Sequence, residues 1–212
     1  MADTPYLILA EDAEGEIQEK KSRFIARLHK TDSEEEASIY IQQTKKSYWD
    51  ARHNCSAFII GEHNELSRCS DDGEPSGTAG RPMLDVLTNS GLHNVTAVVT
   101  RYFGGVLLGT GGLVRAYQKA VQTAIENAHL LQMELCAPTD LRIAYTELGR
   151  IQNLMATMQV SGEIEYQEDV LIHMMLPEVK KEAFLKQLTE LTAGKAQTEI
   201  KDSIMYPHEK VD

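Results

Sequence analysis

Five of the nine residues from 104 to 112 are glycine, at positions 104, 105, 109, 111 and 112, and an amphipathic segment follows at once. Glycine loses more conformational freedom on folding than any other residue. Such a density is tolerable only where backbone must adopt unusual dihedrals or approach another group closely. Beyond the run, Leu113, Val114, Tyr117, Ala120, Val121, Ala124, Ile125 and Ala128 recur at helical spacing. Before it, Val95 to Thr100 is a continuous apolar stretch that reads as a central strand. The chain must therefore accommodate a strand, a glycine loop and a long helix in succession, with Thr110 as the expected N-cap.

Free N–H groups at a helix N-terminus favour anions. Gly104, Gly105, Gly109, Thr110, Gly111 and Gly112 are thus candidate ligand-binding residues, with Arg101 at the strand end and Arg115 in the first helical turn to supply charge. The loop is not a known phosphate fingerprint. Gly112 is followed by Leu113 rather than Lys-Ser/Thr, and Gly109 to Val114 does not supply G-x-G-x-x-G. Close backbone packing against a sheet accounts for the glycines equally well.

Charge narrows the class of ligand. The chain of 212 residues has a formal net charge of −11, which repels polyphosphate at long range and argues against general DNA binding. Residues 76–125 nevertheless carry Arg81, Arg101, Arg115 and Lys119 against Asp85 alone. That locally basic segment is consistent with an anion site or with four cations scattered over different faces. Cys55, Cys69 and Cys136 are odd in number and widely spaced, which argues against a disulfide framework and a zinc site. No basic leader or long apolar run is present, so a cytoplasmic protein without membrane association is expected.

Elsewhere the pattern alternates strands and helices, giving an α/β (α+β) class. Residues 16–29 read as strand material, and Ser33 with Glu36 forms a capping box for a helix over about 34–47. Cys55 to Ile60 and a second strand ending near Ser70 follow, then a short helix through Met83–Leu87 that stops near Gly91. The periodicity pauses around 131–138. After it, two strand–helix–strand arrangements in the order βαββαβ make a ferredoxin-like plait, with Pro177 at the first helical position of the second helix. Two domains are expected, 1–132 and 139–212.

Two other groupings could carry chemistry. Asp71, Asp72 and Glu74 place three carboxylates within four residues of a polar loop, a possible acidic or Mg²⁺ site, although such loops are commonly solvated turns. His53 and Cys55 share one face of a strand, which permits a thiolate–imidazole pair, although a buried structural cysteine is the commoner outcome.

Lys21–Ala26, Asp50–Cys55, Asp71–Gly80 and Arg101–Leu113 together resemble the IMPACT family in its bacterial YigZ-like form, over about residues 20–128. The tail from about 139 resembles the small domain that accompanies it in bacteria, similar to domain V of elongation factor G. The resemblance implies an N-terminal two-layer α/β domain like the second domain of a small-subunit ribosomal protein. Eukaryotic relatives modulate translation by competing for the activator of an amino-acid-starvation kinase, partly through a further N-terminal domain. Bacterial members are suspected of binding RNA or the ribosome, and the resemblance transfers no catalytic residues, no metal and no cofactor. The expected function is a translation-linked regulator that binds RNA or a ribosome-associated partner through Arg81, Arg101, Arg115 and the glycine loop. An enzyme acting on a phosphorylated small molecule through Asp71, Asp72 or Glu74 is the alternative, and a purely protein-binding module the third reading.

Overall fold

A computed structural model describes residues 5–209. They form two compact units, Tyr6–Gln132 with Glu209, and Met133–His208 with Pro5.

The first unit runs β1 (Tyr6–Leu9), β2 (Ala13–Glu19), β3 (Ser22–Lys30), α1 (Glu34–Ser47), β4 (His53–Ile60), β5 (Leu66–Ser70), α2 (Gly80–Ser90), β6 (Val95–Tyr102) and α3 (Thr110–Glu126). Residues 16–29 are strand material, divided between two strands. β2 and β3 form a hairpin closed by Lys20 and Lys21, both at positive φ (46° and 68°). Two positive φ values suit the twist of a two-residue hairpin turn, and lysine holds them at some steric cost. The antiparallel sheet has the order β2-β3-β6-β4-β5, which puts the apolar strand β6 at its centre.

Strand alternation decides the layers. Phe24, Ala26 and Leu28 of β3, Cys55, Ala57 and Ile59 of β4, and Val95, Ala97 and Val99 of β6 join one buried cluster with Met83 and Leu87 of α2 and Leu113, Tyr117, Ala120, Val121 and Ala124 of α3. The opposite face carries α1. There Tyr40 stacks on His29 at 4.2 Å, and the Arg27 guanidinium lies 3.9 Å from the centre of the Tyr48 ring. The Ser33 hydroxyl accepts from Glu36 N–H, while the Glu36 carboxylate reaches back to Asp32 N–H, one residue before the cap. Gly91 ends α2 in the left-handed conformation (φ 71°).

The second unit comprises most of β7 (Leu130–Ile143), then α4 (Leu148–Met158), β8 (Gly162–Tyr166), β9 (Val170–Pro177), α5 (Glu178–Thr192), β10 (Gln197–Ile200) and β11 (Ile204–Glu209). The pairings give the antiparallel order β10-β7-β9-β8. Counted within the unit this is 4-1-3-2, the arrangement of a ferredoxin-like plait; β11 also pairs with β7. Ile151, Leu154 and Met155 of α4 and Phe184 and Leu188 of α5 pack on Leu141, Ile143, Ile172 and Met174. Two details differ from expectation. The pause at 131–138 lies in the first part of the unbroken strand β7, whose half-buried positions blur the alternation, and Pro177 closes β9 as the N-cap of α5 rather than entering the helix.

Because β7 residues from Ala137 onward make nearly all of its pairs with β9, a fragment spanning 137–212 is expected to unfold cooperatively on its own. Denaturant titration followed by circular dichroism and fluorescence checks this. Non-coincident transitions, or an insoluble fragment, would show that the plait needs the rest of the chain.

Candidate functional site

The loop from 71 to 80 is organised by one carboxylate. Asp71 accepts from the N–H groups of Gly77 (2.8 Å), Ala79 (3.0 Å) and Gly80 (2.8 Å), so the chain folds back around it before α2 begins. Burial alone would raise the Asp71 carboxyl, but these three bonds outweigh it and hold it below the ordinary range. Asp72 is engaged elsewhere, taking Lys45 Nζ at 2.5 Å and Asn54 N–H at 2.7 Å.

Glu74 turns inward. Its side chain is 3% exposed, and Oε1 accepts from Arg101 Nη1 at 2.5 Å and from the Tyr117 hydroxyl at 2.8 Å. The three carboxylates are therefore each committed to separate internal donors rather than gathered on a common point. Among the described residues no group of three or more His, Cys, Asp or Glu side chains is placed to hold a metal ion.

Cys55 is fully buried, its Sγ 3.0 Å from Asp71 O and 3.3 Å from the Tyr117 oxygen, two acceptors for its single S–H. Burial pushes its thiol up to about 12, which keeps it protonated and unreactive. Burial also raises the Tyr117 phenol far above its usual value, with Cys55 and Glu74 adding to the shift, so it stays a hydroxyl donor. His53 does not pair with Cys55. Its Nδ1 lies 2.8 Å from Asp72 O and its Nε2 3.9 Å from Glu74 Oε2. A carbonyl partner requires Nδ1 to carry the proton, so His53 donates to Asp72 O.

These groups underlie a cavity of about 410 Å³ whose wall includes Arg52, His53, Glu74, Arg101, Phe103, Leu107, Gly109, Thr110 and Leu113. α3 points its N-terminus at this space. The helix begins one residue earlier than expected, so Gly109 (φ 73°) is its N-cap, Thr110 its first residue, and Gly111 and Gly112 lie inside its first turn. No side chain caps the end and no acidic residue occupies the first turn. Its first N–H groups have no intrahelical acceptor.

Arg101, read from the sequence as a ligand-binding charge at the strand end, is 6% exposed. Besides Glu74, it faces the rings of Phe24 (5.4 Å) and Phe103 (5.7 Å). Its Nε is buried without a hydrogen-bond partner, a state it shares only with Asn64 Oδ1 among the described side-chain nitrogen and oxygen atoms. Arg115 is exposed on α3 and does not line the cavity, and Arg81 pairs with Asp85 on α2 at 2.8 Å, also outside it. The glycines divide by cause. A Cβ on Gly104 would sit 2.0 Å from Lys21 C; Gly105 has φ 83° in open space; one on Gly111 would meet only Arg115 Nη1 at 3.6 Å. Arg52 and Phe103, whose side chains contact each other (5.9 Å), were not singled out from the sequence as site residues. The signal was their place in the Asp50–Cys55 and Arg101–Leu113 segments.

Fold and cavity define a two-unit α+β protein that joins a glycine-loop unit to a ferredoxin-like plait. The Impact N-terminal domain model matches residues 20–125, and a domain of unknown function (DUF1949) matches 141–195. The chain belongs to the IMPACT family. It is 44% identical over 192 residues to the IMPACT family member YvyE of Bacillus subtilis, covering 90% of this chain and 88% of that one. It is 40% identical over 183 residues to the family member YigZ of Escherichia coli, covering 84% and 89%. A crystal structure described as that of a hypothetical protein is 36% identical, with a TM-score of 0.60 over 95% of this chain and 98% of that one. No helix among the described residues is long and apolar enough to cross a membrane.

Proposed function

We propose that the chain is a translation-linked regulator that binds single-stranded RNA at the head of α3. The observation that supports this most directly is the buried guanidinium of Arg101, with an unpartnered Nε, on the wall of a cavity that an uncapped helix N-terminus also borders. A positive helix end with fixed N–H donors suits a phosphate oxygen. Phe103, 41% exposed and contacted by Arg52, offers a ring and a guanidinium plane on which a base can stack. Arg115, exposed on α3 with its guanidinium near Gly111, adds positive charge beside the helix end outside the cavity. The acidic remainder of the chain restricts such binding to ligands that fit the cavity. The resemblance of both units to modules of the translation apparatus agrees with this reading but is an analogy of fold.

The test is titration of a fluorescent single-stranded oligoribonucleotide with wild type and with Arg52→Ala/Arg115→Ala over a salt series. The double variant is expected to bind more weakly, with a salt slope shallower by about one for each phosphate no longer neutralised and an unchanged melting temperature. Equal affinities at every salt, or no binding by wild type, would count against the reading.

A further inference from the structure

We infer that the cavity takes a terminal phosphate monoester of a nucleotide, rather than an internal phosphodiester of an RNA chain. The inference rests on the RNA-binding reading above and narrows it to one end of the molecule.

Depth and the number of donors carry the argument. Arg101 is nine-tenths buried, and only its cavity side remains for a ligand, because Glu74 holds Nη1 and the rings of Phe24 and Phe103 flank the guanidinium. A phosphodiester has a sugar on each side of phosphorus, so reaching a recessed guanidinium would force both strands of backbone into the cavity. A monoester has one substituent and can enter end-on, leaving its nucleoside at the mouth beside Phe103. Its three terminal oxygens also match three sets of donors: the part of the Arg101 guanidinium that lines the cavity, the free N–H groups and hydroxyl at the start of α3 from Thr110, and Arg52 at the exposed rim. A phosphodiester offers only two such oxygens.

Glu74 does not argue against an anion here. It neutralises the Arg101 charge and fixes the guanidinium in place, so this arginine contributes direction, while Arg52 and the helix end contribute positive potential. A cavity of about 410 Å³ falls in the range of about 300–1,000 Å³ usual for small-ligand sites and has room for one nucleotide.

The experiment compares the full chain's affinity for one oligoribonucleotide with a 5′-phosphate, with a 3′-phosphate, with neither, and closed into a circle, alongside adenosine monophosphate and adenosine. At least one end-phosphorylated form should bind about tenfold or more tighter than the unphosphorylated and circular forms, from the charge-assisted bonds that an added terminal oxygen makes. Adenosine monophosphate should likewise exceed adenosine. Thr110→Pro tests the same point from the protein's side. Proline is accepted at a first helical position and removes one free N–H together with the hydroxyl. This variant should lose most of the end-phosphate preference with its melting temperature retained. Equal binding of phosphorylated, unphosphorylated and circular RNA would overturn the inference while leaving RNA binding intact. Binding of adenosine monophosphate without binding of any oligonucleotide would support the monoester site and reject the RNA reading. No binding of any probe would reject both.

Discussion

Glu74→Ala is expected to destabilise the first unit by about 3–5 kcal/mol, the cost of leaving one partner of a buried ion pair alone. Removing the carboxylate strands the Arg101 guanidinium, 6% exposed, whose Nε already lacks an acceptor. It also deprives the buried Tyr117 hydroxyl of its acceptor at 2.8 Å. The effect belongs to the unpaired charge and not to the pair as such. Glu74→Leu combined with Arg101→Met should therefore recover much of the loss, because apolar side chains of similar size can replace a buried pair at little net cost. Urea denaturation of wild type, Glu74→Leu, Arg101→Met and the double variant measures the coupling, with Glu74→Ala alongside. A single-variant cost below about 1 kcal/mol would mean that water or a rearranged loop compensates Arg101, and that the cavity wall is softer than described.

The second large effect concerns three of the glycines between 104 and 112. Gly104→Ala is expected to cost about 3 kcal/mol, the upper end of ordinary overpacking. The added Cβ would lie 2.0 Å from Lys21 C and 2.4 Å from Ser22 N, so backbone must move against backbone. The same shift would break the bond from Gly104 N–H to the Ser22 hydroxyl. Gly105→Ala meets nothing within 4 Å but must hold φ 83°, and should cost about 1–2 kcal/mol. Gly111→Ala, in the open first turn of α3, should be neutral or stabilising by about 0.5 kcal/mol. Denaturation midpoints of the three variants should fall in that order. If Gly104→Ala proved as mild as Gly105→Ala, the close approach to Lys21 would not be a real constraint.

How far the sequence reached can be judged from these same residues. Local signals read well. Ser33 and Glu36 mark the start of α1, Gly91 its counterpart at the end of α2, and the apolar run from Val95 becomes the central strand, because each depends on chain neighbours alone. The plait was legible for the same reason, as its strands alternate over short stretches. Pairing across the fold was not. Arg101 and Glu74 are separated by 27 residues, and neither carries a mark that the other will neutralise it inside the protein. A charge count along residues 76–125 therefore included Arg101 as a surface cation, and Arg81 too, although Asp85 holds it four residues on. The acidic cluster was equally opaque. Asp71, Asp72 and Glu74 look like one constellation in the chain, yet adjacent residues in a tight loop point in different directions, toward the loop's own amides, Lys45 and Arg101.

The bonds from Asp71 to Gly77, Ala79 and Gly80 span fewer than ten residues, so this corner of the protein closes on itself without waiting for distant strands to meet. Glu74 is carried within that closed corner, so one wall of the cavity is already in shape before any ligand arrives. A ligand entering a preformed wall gives up little of its binding energy to order the receptor. Association should then approach the rate of ordinary diffusional encounter, and differences in affinity among related ligands should appear mainly in how slowly each one leaves.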